Sequence, residues 1–145
     1  MTANTKPIPP SFITNKTPKA TGHFRVSESP QGSFTTDRVF LSQTEQYNIV
    51  ECIIKWPNGE EAIISLIVDK VPGESNGTFP GAGIRPWSTY NFSDASGNGS
   101  FYWSDTGSYH IDYIPNTQHV TGSVTFTSNR GGKEVEVKYV FDVSV

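Results

Sequence analysis

From Thr21 to Val145 runs of period-two alternation appear repeatedly, and the 3.6-residue spacing of an amphipathic helix never does. A backbone that turns successive side chains to opposite faces is a pleated strand. Runs of this kind lie near residues 22–28, 34–42, 46–56, 60–70, 77–82, 86–92, 99–104, 107–114, 118–128 and 133–145, separated by Gly, Pro, Asn and Ser. Short strands at this spacing predict an all-β fold: an antiparallel β-sandwich or flattened β-barrel of about 8–10 strands. Nine Phe, six Tyr and three Trp supply a core and exclude disorder throughout. The 145 residues fit one domain, long enough to bury roughly two-thirds of its unfolded surface without disulfides or a structural metal. Residues 1–20 read differently. They hold four of the ten prolines among Thr, Asn and Lys, which predicts a flexible arm ahead of a single β domain at 21–145.

Charge narrows the partners. The net charge is −3, but Lys6, Lys16 and Lys19 stand in the arm without any acid, so the body is the acidic part. An acidic body repels a phosphate backbone, and no basic stripe interleaved with aromatics is present, which argues against nucleic acid. The longest apolar stretch, Ala62 to Val68, is interrupted by Ser65 and is too short to cross a bilayer. The first twenty residues lack the apolar centre of a secretion signal, so the expectation is a soluble chain whose compartment stays open. Four glycosylation sequons, at Asn15, Asn76, Asn91 and Asn98, stand against roughly two expected by chance from this composition, too small an excess to carry an argument. Cys52 is the single cysteine, so no internal disulfide forms, and its apolar neighbours predict a buried, inert thiol.

Two segments can be placed in register. The first is a hairpin over Gln46–Val68 turning at Asn58-Gly59. Tight pairing about that turn sets Ile54 opposite Ile63 and Val50 opposite Ile67, and it leaves both faces of the hairpin apolar. Both must then be covered, by the rest of the chain or by a second subunit, so the Ile49–Val68 hairpin is a candidate homodimer surface. The second is a meander over Gly107–Val145 with one dry face, carrying Tyr109, Ile111, Tyr113, Val120, Val124, Phe126, Val135, Val137, Tyr139, Phe141, Val143 and Val145. A turn over Ser128–Lys133 sets Gly122 opposite Tyr139, a glycine shielded by a cross-strand ring.

The wet face of that meander offers one constellation. With a short loop after Ile114, Asp112 falls opposite His119, His119 falls opposite Asp142, and His110 lies two residues from Asp112. Imidazoles and carboxylates so placed are a candidate divalent-metal or metallohydrolase site at His110, Asp112, His119 and Asp142. A four-residue loop slides Asp112 opposite Thr121 and breaks it. Ser108, His110 and Asp112 do not make a nucleophilic triad. Residues two apart on a strand are separated by nearly 7 Å, and no nucleophile elbow accompanies them. Asp94, Asp105 and Asp112 could be drawn into a carboxylate pair for hydrolysis, but the sequence sets no separation between them. His23 reads as an ordinary surface histidine.

The stretch Val71–Thr106 is rich in glycine and aromatic residues and poor in charge. Sugar C–H faces stack on Trp and Tyr, while sugar hydroxyls seek Asn and Asp. Such sites sit on loops carried by a rigid scaffold. The expectation is therefore a non-enzymatic binding module, without a cofactor, for a carbohydrate or similar small ligand. Trp87, Tyr90 and Trp103 are its candidate stacking rings, with Asn91, Asp94 and Asp105 as polar partners. The competing reading makes these rings a local core that pins long loops down.

Overall fold

Alternation this regular gives strands wherever it is unbroken. A computed structural model describes residues 18–80 and 86–145 and contains eleven of them. They are β1 (Thr21–Glu28), β2 (Phe34–Thr36), β3 (Val39–Gln43), β4 (Tyr47–Lys55), β5 (Glu61–Asp69) and β6 (Gly73–Phe79). There follow β7 (Trp87–Ser93), β8 (Gly99–Trp103), β9 (Thr106–Ile114), β10 (His119–Arg130) and β11 (Lys133–Ser144). A six-stranded sheet in the order β2-β1-β11-β10-β9-β6 packs against a five-stranded sheet in the order β3-β4-β5-β7-β8, and every pairing is antiparallel. This is the all-β sandwich. No helix among the described residues is long and apolar enough to cross a membrane. The expected flexible arm, with its sequon at Asn15, lies outside the described residues as far as position 17.

The core is built between the sheets. Phe24, Val26, Val124, Phe126, Tyr139 and Phe141 of the six-stranded sheet join Val50, Cys52, Ile64, Leu66 and Tyr90 of the other. Phe24 stacks on Tyr139 and Phe141 at centroid distances of 5.2 and 5.4 Å. Burial removes the Cys52 thiol from solvent and pushes its pKa far above the ordinary thiol value.

Three registers differ from expectation, each because a turn has a different length. The β4–β5 turn contains three residues, Pro57-Asn58-Gly59, closed by Trp56 N–H to Glu60 O at 2.8 Å and Gly59 N–H to Trp56 O at 3.0 Å. Only Gly59, at φ +92°, takes positive φ, which fits a three-residue turn ending in a glycine bulge. Ile54 therefore meets Ala62, and Val50 meets Leu66. This one-residue slip moves all of β5 to the other face. Ala62, Ile64, Leu66 and Val68 join Val50 and Cys52 in the core. The β10–β11 turn is the pair Gly131-Gly132, both at positive φ, which sets Arg130 opposite Lys133. Gly122 therefore meets Phe141 rather than Tyr139. A slip of two keeps the faces, and the glycine is still shielded: a Cβ there would come within 3.0 Å of the Phe141 ring and 2.6 Å of the His110 carbonyl. The β9–β10 link has four residues, beginning with a 3-10 turn at Pro115–Thr117.

The run expected at 34–42 is two strands in different sheets, because the chain changes layer at Asp37-Arg38. There the Thr36 hydroxyl accepts from Arg38 N–H and donates to the Ile53 carbonyl at 2.8 Å. The run expected at 77–82 is found at 73–79. The Ile49–Val68 hairpin is buried on both faces within the single chain, with Ile49, Ile67 and Trp87 forming a second small cluster on the outer side of the five-stranded sheet. Little apolar area remains on it for a second subunit.

Candidate functional site

The six residues expected to form an aromatic binding site do not converge. Trp87 and Tyr90 are three apart on β7, so the pleat sends them to opposite faces. Tyr90 enters the inter-sheet core with no exposure, and Trp87 lies on the outer side, 4% exposed. Trp103 follows Trp87, and the two rings stack at 5.4 Å. Neither Trp87 nor Tyr90 offers a ring face to a ligand, so the local-core reading describes both. Asn91 is half-buried between Ile63 and Phe101. Asp94 caps its own turn, its Oδ1 accepting from Ser96 and Asn98 N–H, both at 2.9 Å. Asp105 anchors a different turn, its Oδ2 accepting from Asn129 N–H at 2.8 Å.

The histidine constellation also separates. The four-residue link puts Ile114 opposite His119 and Asp112 opposite Thr121. His119 Nε2 still reaches Asp142 Oδ1 at 2.6 Å, along a diagonal of the sheet. His110 turns the other way. Its Nδ1 meets Asn76 Oδ1, and its Nε2 lies 3.2 Å from Glu74 Oε1 on the neighbouring strand β6. The expected quartet thus becomes two separate pairings. Among the described residues no group of three or more His, Cys, Asp or Glu converges on a metal position.

A different place gathers the polar groups. At one end of the sandwich the β1–β2 turn, the β10–β11 hairpin and the edge strand β8 enclose an open cleft of about 720 Å³, within the ~300–1,000 Å³ of ordinary ligand sites. Ser27, Glu28, Ser29, Tyr102, Arg130, Lys133, Glu134 and Glu136 line it. Tyr102 stands on β8 with its ring against Tyr90 at 6.0 Å, and the Arg130 guanidinium lies over it, 5.5 Å from the centroid. Arg130 is held there by donating from Nη1 to the Phe101 carbonyl at 3.0 Å. Beneath, Tyr90 Oη donates to Gln31 Oε1 at 2.5 Å, and burial raises its pKa to about 12. That tyrosine is a neutral donor throughout the physiological range.

The carboxylates of the cleft are crowded. Glu136 hydrogen-bonds Glu28, and that bond together with the like charge raises the Glu136 pKa above the usual carboxylate value. Alternation alone did not show this site, since its residues come from four strands and two turns. The one signal was Tyr102, a third ring between Phe101 and Trp103 whose parity opposes theirs.

Comparison with known protein families, with curated proteins and with solved structures yields no match. What defines the molecule is therefore its own geometry: an antiparallel two-sheet sandwich with a mixed-charge cleft at one end, where the Arg130 guanidinium lies over the Tyr102 ring.

Proposed function

We propose that this protein is a non-enzymatic binding module whose ligand is a carbohydrate, or a similar small molecule with apolar and hydroxylated sides, held in the cleft at the hairpin end. The observation that carries this reading is the Arg130 guanidinium lying over the Tyr102 ring, 5.5 Å from its centroid, on the wall of an open cleft. A guanidinium backed by a ring is a flat platform for sugar C–H groups. It also carries five donors, of which one is given to Phe101. Glu134, and the oxygens of Glu28 and Glu136 not engaged with each other, are acceptors for sugar hydroxyls.

Binding rather than hydrolysis is favoured by the acids themselves. Glu28 and Glu136 are bonded to each other, whereas glycoside hydrolysis needs two carboxyl groups ~5–9.5 Å apart on either side of the scissile bond.

A glycan array probed with the wild-type chain and with Arg130→Ala and Tyr102→Ala tests the reading. Wild type is expected to give a signal that both variants weaken by about tenfold or more, with the circular dichroism spectrum retained. Absence of any wild-type signal, or one that Arg130→Ala leaves intact, removes it.

A further inference from the structure

A sandwich has four sheet edges, and each presents backbone N–H and C=O groups that can template another strand. Three of the four are protected here. Strand β2 is only three residues long. Strand β3 is flanked by the chain entering β1, with Ala20 N–H bonded to the Val39 carbonyl at 2.8 Å. Strand β8 is capped by the end of β10: Ser128 Oγ accepts from Trp103 N–H at 3.1 Å, and Arg130 donates to the Phe101 carbonyl.

Among the described residues the fourth edge, β6, carries none of these devices. It runs for seven residues, Gly73 to Phe79, without a lysine, a proline or a bulge. Among the described residues its backbone bonds only to β9. Glu74, Asn76 and Thr78 are exposed along it.

The sequence of this edge is complementary to itself. Antiparallel pairing about a twofold axis at Asn76 sets Glu74 opposite Thr78 of a second copy and Ser75 opposite Gly77, with Asn76 meeting Asn76. No like charges face each other. His110 of β9 engages Asn76 Oδ1 and Glu74 Oε1, which leaves the Asn76 amide N–H groups and the second Glu74 oxygen to meet the Asn76 amide and the Thr78 hydroxyl of the partner. On the other face the space beside Gly73 is open, while the Tyr109 ring of β9 covers Gly77.

We propose that β6 pairs with β6 of a second copy, joining two six-stranded sheets into one continuous antiparallel sheet across a twofold axis. The cleft lies near β1 and β2, at the other end of the sheet order from β6. Both clefts therefore stay open in the dimer, which becomes bivalent.

Sedimentation equilibrium on the full chain at micromolar concentration tests this. The 15.9 kDa mass is expected to double with rising concentration. Asn76→Lys and Asn76→Asp each place like charges face to face on the axis, and each is expected to weaken self-association by about tenfold or more. An equimolar mixture of the two variants places Lys against Asp and restores the dimer. A monomeric wild type overturns the proposal, as does a dimer indifferent to both substitutions or a mixture that stays monomeric. A wild type that is monomeric alone but binds an extended peptide along β6 also overturns it, in favour of a peptide partner. Circular dichroism of each variant separates lost association from lost folding.

Discussion

Tyr139 is fully buried, and its hydroxyl lies 2.8 Å from Ser88 Oγ. Ser88 already donates its own proton to the Ser65 carbonyl at 2.9 Å, so Tyr139 is the donor in this pair. The two truncations of that bond are therefore unequal. Ser88→Ala strands a buried hydroxyl and is expected to cost ~1–3 kcal/mol, whereas Tyr139→Phe leaves Ser88 bonded and costs ~0.5–1.5 kcal/mol. Urea denaturation of both variants checks the order, and a larger loss for Tyr139→Phe contradicts the donor assignment. At the surface, Glu136 holds its proton more tightly in the folded chain than in the unfolded one, because of its bond to Glu28. The folded state binds more protons there, so the contribution of this one group to stability is present at low pH and is lost as pH rises from about 4.5 through the elevated value. Glu136→Gln removes that loss. Its melting temperature is expected to exceed that of wild type at neutral pH and to converge on it below the carboxylate range. A constant difference across pH refutes the shared proton. Neither these pairings nor the cleft residues were legible in the sequence. Composition marked Trp87 and Tyr90 as rings in a sugar-like stretch, yet their odd separation on one strand had already sent them to opposite faces.

Turns decide what each strand contributes, and they account for most of what the alternation left open. The dry face of the meander was legible because Val124, Phe126, Tyr139 and Phe141 keep their parity under any even slip. The β4–β5 hairpin was not, because Asn58-Gly59 serves equally as a two-residue turn or as the end of a three-residue one. That single residue chooses which face of β5 enters the core. The cleft was hidden for a related reason: it exists only once Gly131-Gly132 brings Arg130 beside Tyr102. The two turns make opposite demands on substitution. Gly59 holds φ +92°, so Gly59→Ala is expected to lose about 1 kcal/mol or slightly more through backbone strain. Gly131 holds φ +59° in open space, a conformation Asn adopts readily. Gly131→Asn is expected to gain ~0.4–1 kcal/mol by restricting the unfolded chain. Thermal melts of the two variants should move in opposite directions; movement in the same direction contradicts the turn types.

For the whole molecule, stability rests on two sheets that bury one shared core, and Cys52 is a probe set within it. The thiol is 1% exposed on β4, between the sheets, and desolvation holds it protonated. It needs both access and ionisation to react, and the folded chain supplies neither. Alkylation must then wait for the sheets to part. With β4 paired on both sides, to β3 and β5, no fraying of an edge alone exposes it. The modification rate of native protein is therefore expected to be slower than that of the denatured thiol by the unfolding constant, roughly 10³–10⁸. Its logarithm is expected to rise with urea at the same slope as the equilibrium transition. Iodoacetamide labelling followed by mass spectrometry across a urea series measures this. A rate that is fast and independent of urea means that the five-stranded sheet opens locally, and that the two sheets are not one cooperative unit.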